Sequence, residues 1–346
     1  MSIQVSALPR AHGEPVLRAT IRSQPEDFEV TELRDFEPSG AGEHVWLEIR
    51  KRGANTEWVA RQLARFAGVP EVAVGFAGLK DRDALTRQVF TVGLGGQPEP
   101  DWDQCVIDGV ELLARHRHAR KLKRGALNGN RFALILRSVQ PLAPAAAIEA
   151  RLSALSARGV PNYFGPQRFG RGGENVARAL AMFDGARVPR SLRGILLSAA
   201  RSQIFNQLLA GRVLAGSWEQ AIDGDILQLE RSNSVFKPAA IDADIAARMA
   251  AGEINSTGPL WGASRSTINA VGADEAQSVA ADAELNALAA GLLRAGLEAD
   301  RRALRLWPRT LSWQWLDGQT LRLEFALREG AYATSVLAEL GETADA

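Results

Sequence analysis

The sequence predicts an α+β fold in which the two ends of the chain share one sheet and a helix-rich segment is inserted between them. Three observations carry this. Apolar and polar residues alternate with period 2 through most of the first 140 or so positions, Ala- and Leu-rich helical spacing takes over from about residue 143, and the strand pattern returns near the carboxyl end. A length of 346 residues suits one large or two medium domains. Boundaries near residues 157 and 305 give one domain made of 1–156 and 305–346, with 157–304 as the insertion.

The elements follow in order. "EDFEVTEL" and "HVWLEIRKRG" alternate as half-buried strands do. "NTEWVARQLARFAG" switches to helical spacing, with Trp58, Leu63 and Phe66 on one side, Asn55 as cap and Gly68 as stop. "EVAVGFAGL", "RQVFTVGL" and "RFALILRSV" read as strands. "AAAIEARLSALSARG", "NVARALAMFDG" and "LRGILLSAARSQIFNQLLAGRVLAG" read as helices, broken by the loop "VPNYFGPQRFGRGG". "GDILQLE" suggests a short strand amid irregular Gly-rich sequence. In "TLSWQWLDGQTLRLEFAL", Asp317 and Gly318 signal a hairpin, and the short helix "YATSVLAEL" follows.

Composition limits the chemistry. Hydrophobic residues make up 46% and charged residues 23%, as in a folded soluble protein. No run reaches the roughly 20 apolar residues of a membrane span, and "MSIQVSALPRAHGEP" lacks the apolar core of a signal peptide, so a cytoplasmic location without membrane attachment is expected. Cys105 is the only cysteine and the four histidines have no ligand spacing, which argues against an internal disulfide and against a metal centre. "GFAGLKD" and "FGRGGEN" fail the phosphate-loop and dinucleotide patterns. No heptad or long apolar stripe points to an obligatory protein partner.

Five segments stand out. "GLKDRDALTRQ" packs a lysine, two aspartates and two arginines between two apolar runs. An aspartate there, held by Arg82 or Arg87, stays ionised and can act as nucleophile or electrostatic stabiliser; a solvated hairpin turn is the plain alternative. Residues 115–124 contain six Lys or Arg, two His and no acid, although the whole chain has a net charge of +1. Such a run is the footprint of phosphate contact or a solvated charged face. Asn128, Gly129 and Asn130 then make a turn before Phe132. Phe28 in "PEDFEV" and Tyr332 in "GAYATSVLAEL" are aromatics able to stack on a base or to pack a core, and Arg168 lies with Tyr163, Phe164 and Phe169 on a Gly-rich loop.

Together and in order, "AGLKDRDALTRQ", "RHARKLKRGALNGNRF", "NYFGPQRFGRGGEN" and "GAYATSVLAEL" resemble the tRNA pseudouridine synthase D (TruD) family, over nearly the whole chain from Phe28 to Leu340. The resemblance implies a pseudouridine-synthase catalytic domain with a mixed or antiparallel sheet, interrupted by a helix-rich TRUD domain. It implies an isomerase that converts a uridine in tRNA, typically uridine 13, to pseudouridine without a cofactor. By motif match Asp81 is the catalytic aspartate, and Phe28, Asn130, Phe132 and Tyr332 line the base pocket. Lys80 and Arg87 are expected beside substrate, Arg87 as an ion-pair partner of Asp81 and Lys80 near phosphate, with Arg82 or a distant arginine as other partners. His118, Arg120, Lys121, Lys123, Arg124 and Arg168 are expected to contact RNA. The general base, and attack at C1′ or at the uracil ring, stay open. A non-catalytic RNA-binding protein and a hydrolase with Asp81 and Asp83 as paired acids are the competing readings.

Overall fold

The structure, a computed structural model, describes residues 8–230 and 232–346. Residues 1–7 of the stretch read for a leader lie outside them. The chain forms two compact units. A sheet unit comprises 16–148, 308–330 and 341–346; a helical unit comprises the chain up to Pro15, 149–307 and 331–340.

In the sheet unit the strands are β1 (Leu17–Ile21), β2 (Phe28–Leu33), β3 (His44–Lys51), β4 (Val74–Phe76), β5 (Leu85–Gly93), β6 (Val110–His118) and β7 (Gly129–Pro141), joined by Arg309–Asp317, Thr320–Arg328 and Gly341–Asp345. They form one ten-stranded mixed sheet with the path Arg309–Asp317, Thr320–Arg328, β7, β2, β5, β3, β6. β2 runs parallel to β5, and Gly341–Asp345 runs parallel to β1; β1 and β2 both pair antiparallel with β7. Strands from both ends of the chain thus share the sheet, as the alternation predicts.

One face of this sheet is covered by helix α1 (Thr56–Phe66). Alternation in β3 turns Val45, Leu47 and Ile49 inward, where they meet Phe90 and Val92 of β5 and Val59 and Leu63 of α1. Burying each such side chain stabilises the fold by about 1.5–3 kcal/mol. The Asn55 side chain caps α1 by accepting from the N–H groups of Glu57 and Trp58 at 2.9 and 3.3 Å. The buried stripe is Val59, Ala60, Leu63 and Ala64, so the expected face is shifted, and Trp58 and Phe66 flank it.

Two local readings are corrected. Of "EVAVGFAGL" only Val74–Phe76 is strand, preceded by a single turn at Glu71–Ala73 that starts after Pro70. The carboxyl-terminal hairpin turns one residue later than the Asp-Gly pair: Asp317 pairs with Thr320, and the Asp317 Oδ1 accepts from the Gln319 N–H at 2.7 Å, so the aspartate closes the turn instead of occupying it.

Helix α2 (Ala145–Arg158) carries the chain into the helical unit, where α3 (Glu174–Phe183) and α4 (Arg190–Leu214) pack with Ala283–Arg294. Leu196, Ala199, Phe205, Leu288 and Leu292 form the centre of that core. A small sheet runs Val235–Phe236, Leu227–Leu229, Ile254–Leu260, Asp300–Ala303. Its buried strand "INSTGPL" contains Gly258 and Pro259 and gives no strand signal in sequence; its polar side chains are bonded internally, as where Thr257 Oγ1 donates to the Ile226 carbonyl at 2.6 Å. Among the described residues no helix is long and apolar enough to cross a membrane.

Candidate active site

β4 and β5 are antiparallel neighbours, so the charged stretch lies on the connection between them. The Asp81 side chain is 35% exposed, and its Oδ2 lies 3.3 Å from Arg22 Nη2, while its Oδ1 accepts from the Asp83 N–H at 3.1 Å. Arg22 follows β1 with φ 56°, a left-handed conformation that costs a non-glycine residue about 1–2 kcal/mol. Its guanidinium stands 4.1 Å from the Phe28 ring centroid and also pairs with Asp345 at 2.8 Å. The partner of Asp81 is therefore the distant arginine. Arg82 donates instead to the Gly53 carbonyl, and Arg87 pairs with Glu48 at 2.6 Å. Arg87 cannot play its expected part because alternation along β5 turns it to the sheet face opposite Gln88, Phe90 and α1.

Behind the loop lies a set of buried polar side chains. Lys51 continues the inward series Val45, Leu47, Ile49 and is 0% exposed. Its ammonium donates to the carbonyl oxygens of Ala54 and Asp81 at 2.8 and 2.9 Å. Burial pushes this lysine down to about 8, opposed by the attraction of Asp81 and helped by the repulsion of Lys80. Thr56 Oγ1 accepts from the Lys80 N–H and donates to Gln88 Oε1, both at 3.0 Å, and Gln88 Nε2 donates to the Gly78 carbonyl at 3.4 Å. The Lys80 ammonium is 2.8 Å from the Glu32 carboxylate, with the two side chains 5% and 0% exposed. Glu32 also accepts from the Val89 N–H at 3.0 Å. Lys80 is thus a buried structural cation, and the phosphate contact expected of it is corrected.

β2 and β7 bring together the residues expected around a base. Their register sets Val30 opposite Phe132 and Glu32 opposite Asn130, so Phe28, Glu32, Asn130 and Phe132 lie on one face. Phe28 meets Phe132 edge to face at 6.2 Å, and Phe132 stacks on Phe325 at 5.5 Å. Phe28 is held from the preceding residue: Asp27, 0% exposed, takes a two-point bond from Arg137 at 2.8 and 2.7 Å. Asn130 Oδ1 is buried with no hydrogen-bond partner among the described residues.

Tyr332 and Arg168 lie in the helical unit. Arg168 donates through Nε and Nη2 to the Tyr332 hydroxyl at 3.1 and 2.8 Å and through Nη1 to Ser198 at 2.7 Å. Gly165 permits this approach, since a Cβ there would meet Thr334 Oγ1 at 2.7 Å and the Tyr332 ring at 3.1 Å. Arg302 stands 4.1 Å from the Phe164 ring centroid, its guanidinium lowered by burial to about 10.

The basic run is anchored by the apolar residue at its centre. Leu122 is buried, its N–H donates to Thr91 Oγ1 at 2.8 Å, and Gly75 leaves room for its carbonyl, which a Cβ would approach to 2.4 Å. Arg120, Lys121, Lys123 and Arg124 are exposed around it. Lys121 donates to the Val72 carbonyl, and Arg124 stands 4.0 Å from the Phe76 ring centroid and 3.4 Å from Glu57. His118 differs from its neighbours. Its Nδ1 accepts from the Ser39 N–H at 3.2 Å, its ring packs on Phe36 and Trp46, and burial lowers its proton affinity, with His44 and Arg120 adding to the effect. An imidazole accepting at Nδ1 is neutral, so His118 is corrected from a phosphate-binding cation to part of the packing.

Sequence reasoning missed Arg22, Glu32, Lys51, Thr56, Gln88 and Arg302. For Glu32, Lys51 and Gln88 a signal existed: each is a polar residue at the inward position of a strand, where alternation calls for an apolar one. Arg22 and Arg302 had no such mark.

The crystal structure of a Methanosarcina mazei protein provisionally designated tRNA pseudouridine synthase D shares this fold, with a TM-score of 0.69 at 20% identity over 96% of this chain and 95% of that one. A family model, tRNA pseudouridine synthase D (TruD), matches residues 9–175 and 171–340. The chain belongs to that family. A Xanthomonas campestris protein named tRNA pseudouridine synthase D is 49% identical over 98% of this chain and 95% of its own length, and a Methylococcus capsulatus protein of the same name is 48% identical over 97% and 94%.

Proposed function

We propose that this protein converts a uridine of tRNA, uridine 13, to pseudouridine in the cytoplasm, and that Asp81 is the carboxylate on which the reaction turns. Membership of the family and the names of its relatives support the activity. The observation that carries the assignment to Asp81 is its pairing with Arg22, whose guanidinium also lies over Phe28 on the face that holds Asn130 and Phe132.

Isomerisation requires the uridine to leave its stack, the bond from N1 to C1′ to break, the ring to turn, and C5 to bond to C1′ while its proton departs. Breaking the first bond leaves positive charge on the sugar and the electron pair on the uracil. An ionised carboxylate held by a guanidinium stabilises that sugar or bonds to it. Phe28 and Phe132 give the base an apolar surface, and the buried, unpaired Asn130 Oδ1 is an acceptor for the N3–H of uracil. Arg120, Lys121, Lys123 and Arg124 supply cations for the phosphate backbone.

The test is incubation of the purified protein with unmodified tRNA carrying tritium at uridine C5. Tritium release with pseudouridine as the nucleoside product is expected. Release of free uracil would establish the hydrolase instead, and binding without either product the non-catalytic reading.

A further inference from the structure

A lysine with no exposed surface ordinarily has a carboxylate within reach. Lys51 has none among its hydrogen-bond partners. Its ammonium is shared between two backbone carbonyls, those of Ala54 and Asp81. We infer that Lys51 is a positioning residue for the reaction: by donating to the Ala54 and Asp81 carbonyls it fixes the backbone from which the Asp81 carboxylate is presented. This rests on the reading of Asp81 given above.

The geometry excludes the more direct role. With 0% of its surface exposed, and its donors directed at carbonyls of its own chain, Lys51 does not touch a substrate and so is not the proton acceptor at C5. Thr56 and Gln88 bond the same segment at Lys80 N–H and the Gly78 carbonyl. The loop backbone is therefore held at residues 78, 80 and 81, and the hold at Asp81 itself is the only charged one of the three. The ionisable groups that act on this ammonium are Asp81, which favours its charged form, and Lys80, which opposes it and is itself neutralised by Glu32.

Single-turnover kinetics, tRNA Kd and melting temperature distinguish this role from a merely structural one. Lys51→Met should slow turnover by about 100-fold, the effect of a displacement of roughly 1 Å in a catalytic group, while Kd holds and the melting temperature stays well above that of the assay. Lys51→Arg, which keeps the charge and its donors, should recover at least part of the rate. Turnover by Lys51→Met at the wild-type rate, or a loss shared in proportion by Kd and melting temperature, overturns the inference. Should Lys51→Met not fold, Lys51→Gln, whose shorter side chain ends in a neutral amide, decides: turnover slowed at unchanged Kd supports the role, and turnover at the wild-type rate opposes it. Asp81→Asn is the accompanying arm. If it retains turnover, the reading of Asp81 fails; if it is inactive while Lys51→Met is not, only the role of Lys51 fails.

Discussion

The loop that carries Asp81 and the basic run of residues 115–124 are the two most charge-dense stretches singled out in the chain, and the molecule uses them in opposite ways. Around the loop, Lys51, Thr56 and Gln88 hold the backbone from inside, Lys80 is closed into an ion pair with Glu32, and Asp81 is left partly open beside Arg22. In the basic run the backbone is fixed by the apolar Leu122, and the cations around it stay exposed. Charge density alone does not distinguish a built site from a binding surface. What distinguishes them is which way strand alternation turns the residues that face each segment.

That contrast can be broken at several points. The largest effect belongs to Lys80→Met, which leaves Glu32 buried without its countercharge and should cost about 3–5 kcal/mol in urea unfolding. Pairing it with Glu32→Leu should restore most of that, and the salt dependence of tRNA binding should not move. A flattened salt slope with unchanged stability would return Lys80 to the surface class. Next, Arg22→Met should lower turnover by about 100-fold through loss of the charge that holds Asp81, with tRNA binding nearly intact. An unaffected rate would detach Arg22 from the site.

Lys51 gives an effect of mixed sign with pH. Its folded value of about 8 lies below the ordinary 10.5, so between these the unfolded chain binds more protons and the Lys51 contribution to stability rises with pH. Turnover should move the other way, full below about 8 and falling above it. Wild type and Lys51→Met compared by urea unfolding and single-turnover rates from pH 7 to about 10 check both signs. The smallest effects lie in the basic run. Arg120→Gln or Lys123→Gln should each reduce the log–log salt slope of tRNA binding by about 0.7–0.9. Lys121→Gln and Arg124→Gln should reduce it less, because these side chains already have partners on the protein.

The fold class and most strands and helices were legible because one face of each is buried, which imposes the period 2 or 3.6 that a sequence displays. "INSTGPL" was not, because its buried positions are filled by Ser, Thr and Asn whose hydrogen bonds close inside the unit. The loop of Asp81, the register partners Phe28, Asn130 and Phe132, and the exposed cations stood out as motifs. The ion-pair partner of Asp81 did not. Arg22 lies 59 positions away, and only the placement of β1 and of the loop brings the two together. Lys51 was visible in "HVWLEIRK" as the fourth member of an inward series that is otherwise Val, Leu and Ile. Its role depends on a backbone carbonyl 30 residues further on, which no side-chain pattern records.

The most direct test is the rate of pseudouridine formation in unmodified tRNA by Asp81→Asn at saturating enzyme, with tRNA Kd measured on the same preparation. A loss of at least about 1000-fold at unchanged Kd is the predicted result. Turnover near the wild-type rate would contradict the account, because an amide cannot supply the negative charge it assigns to that position.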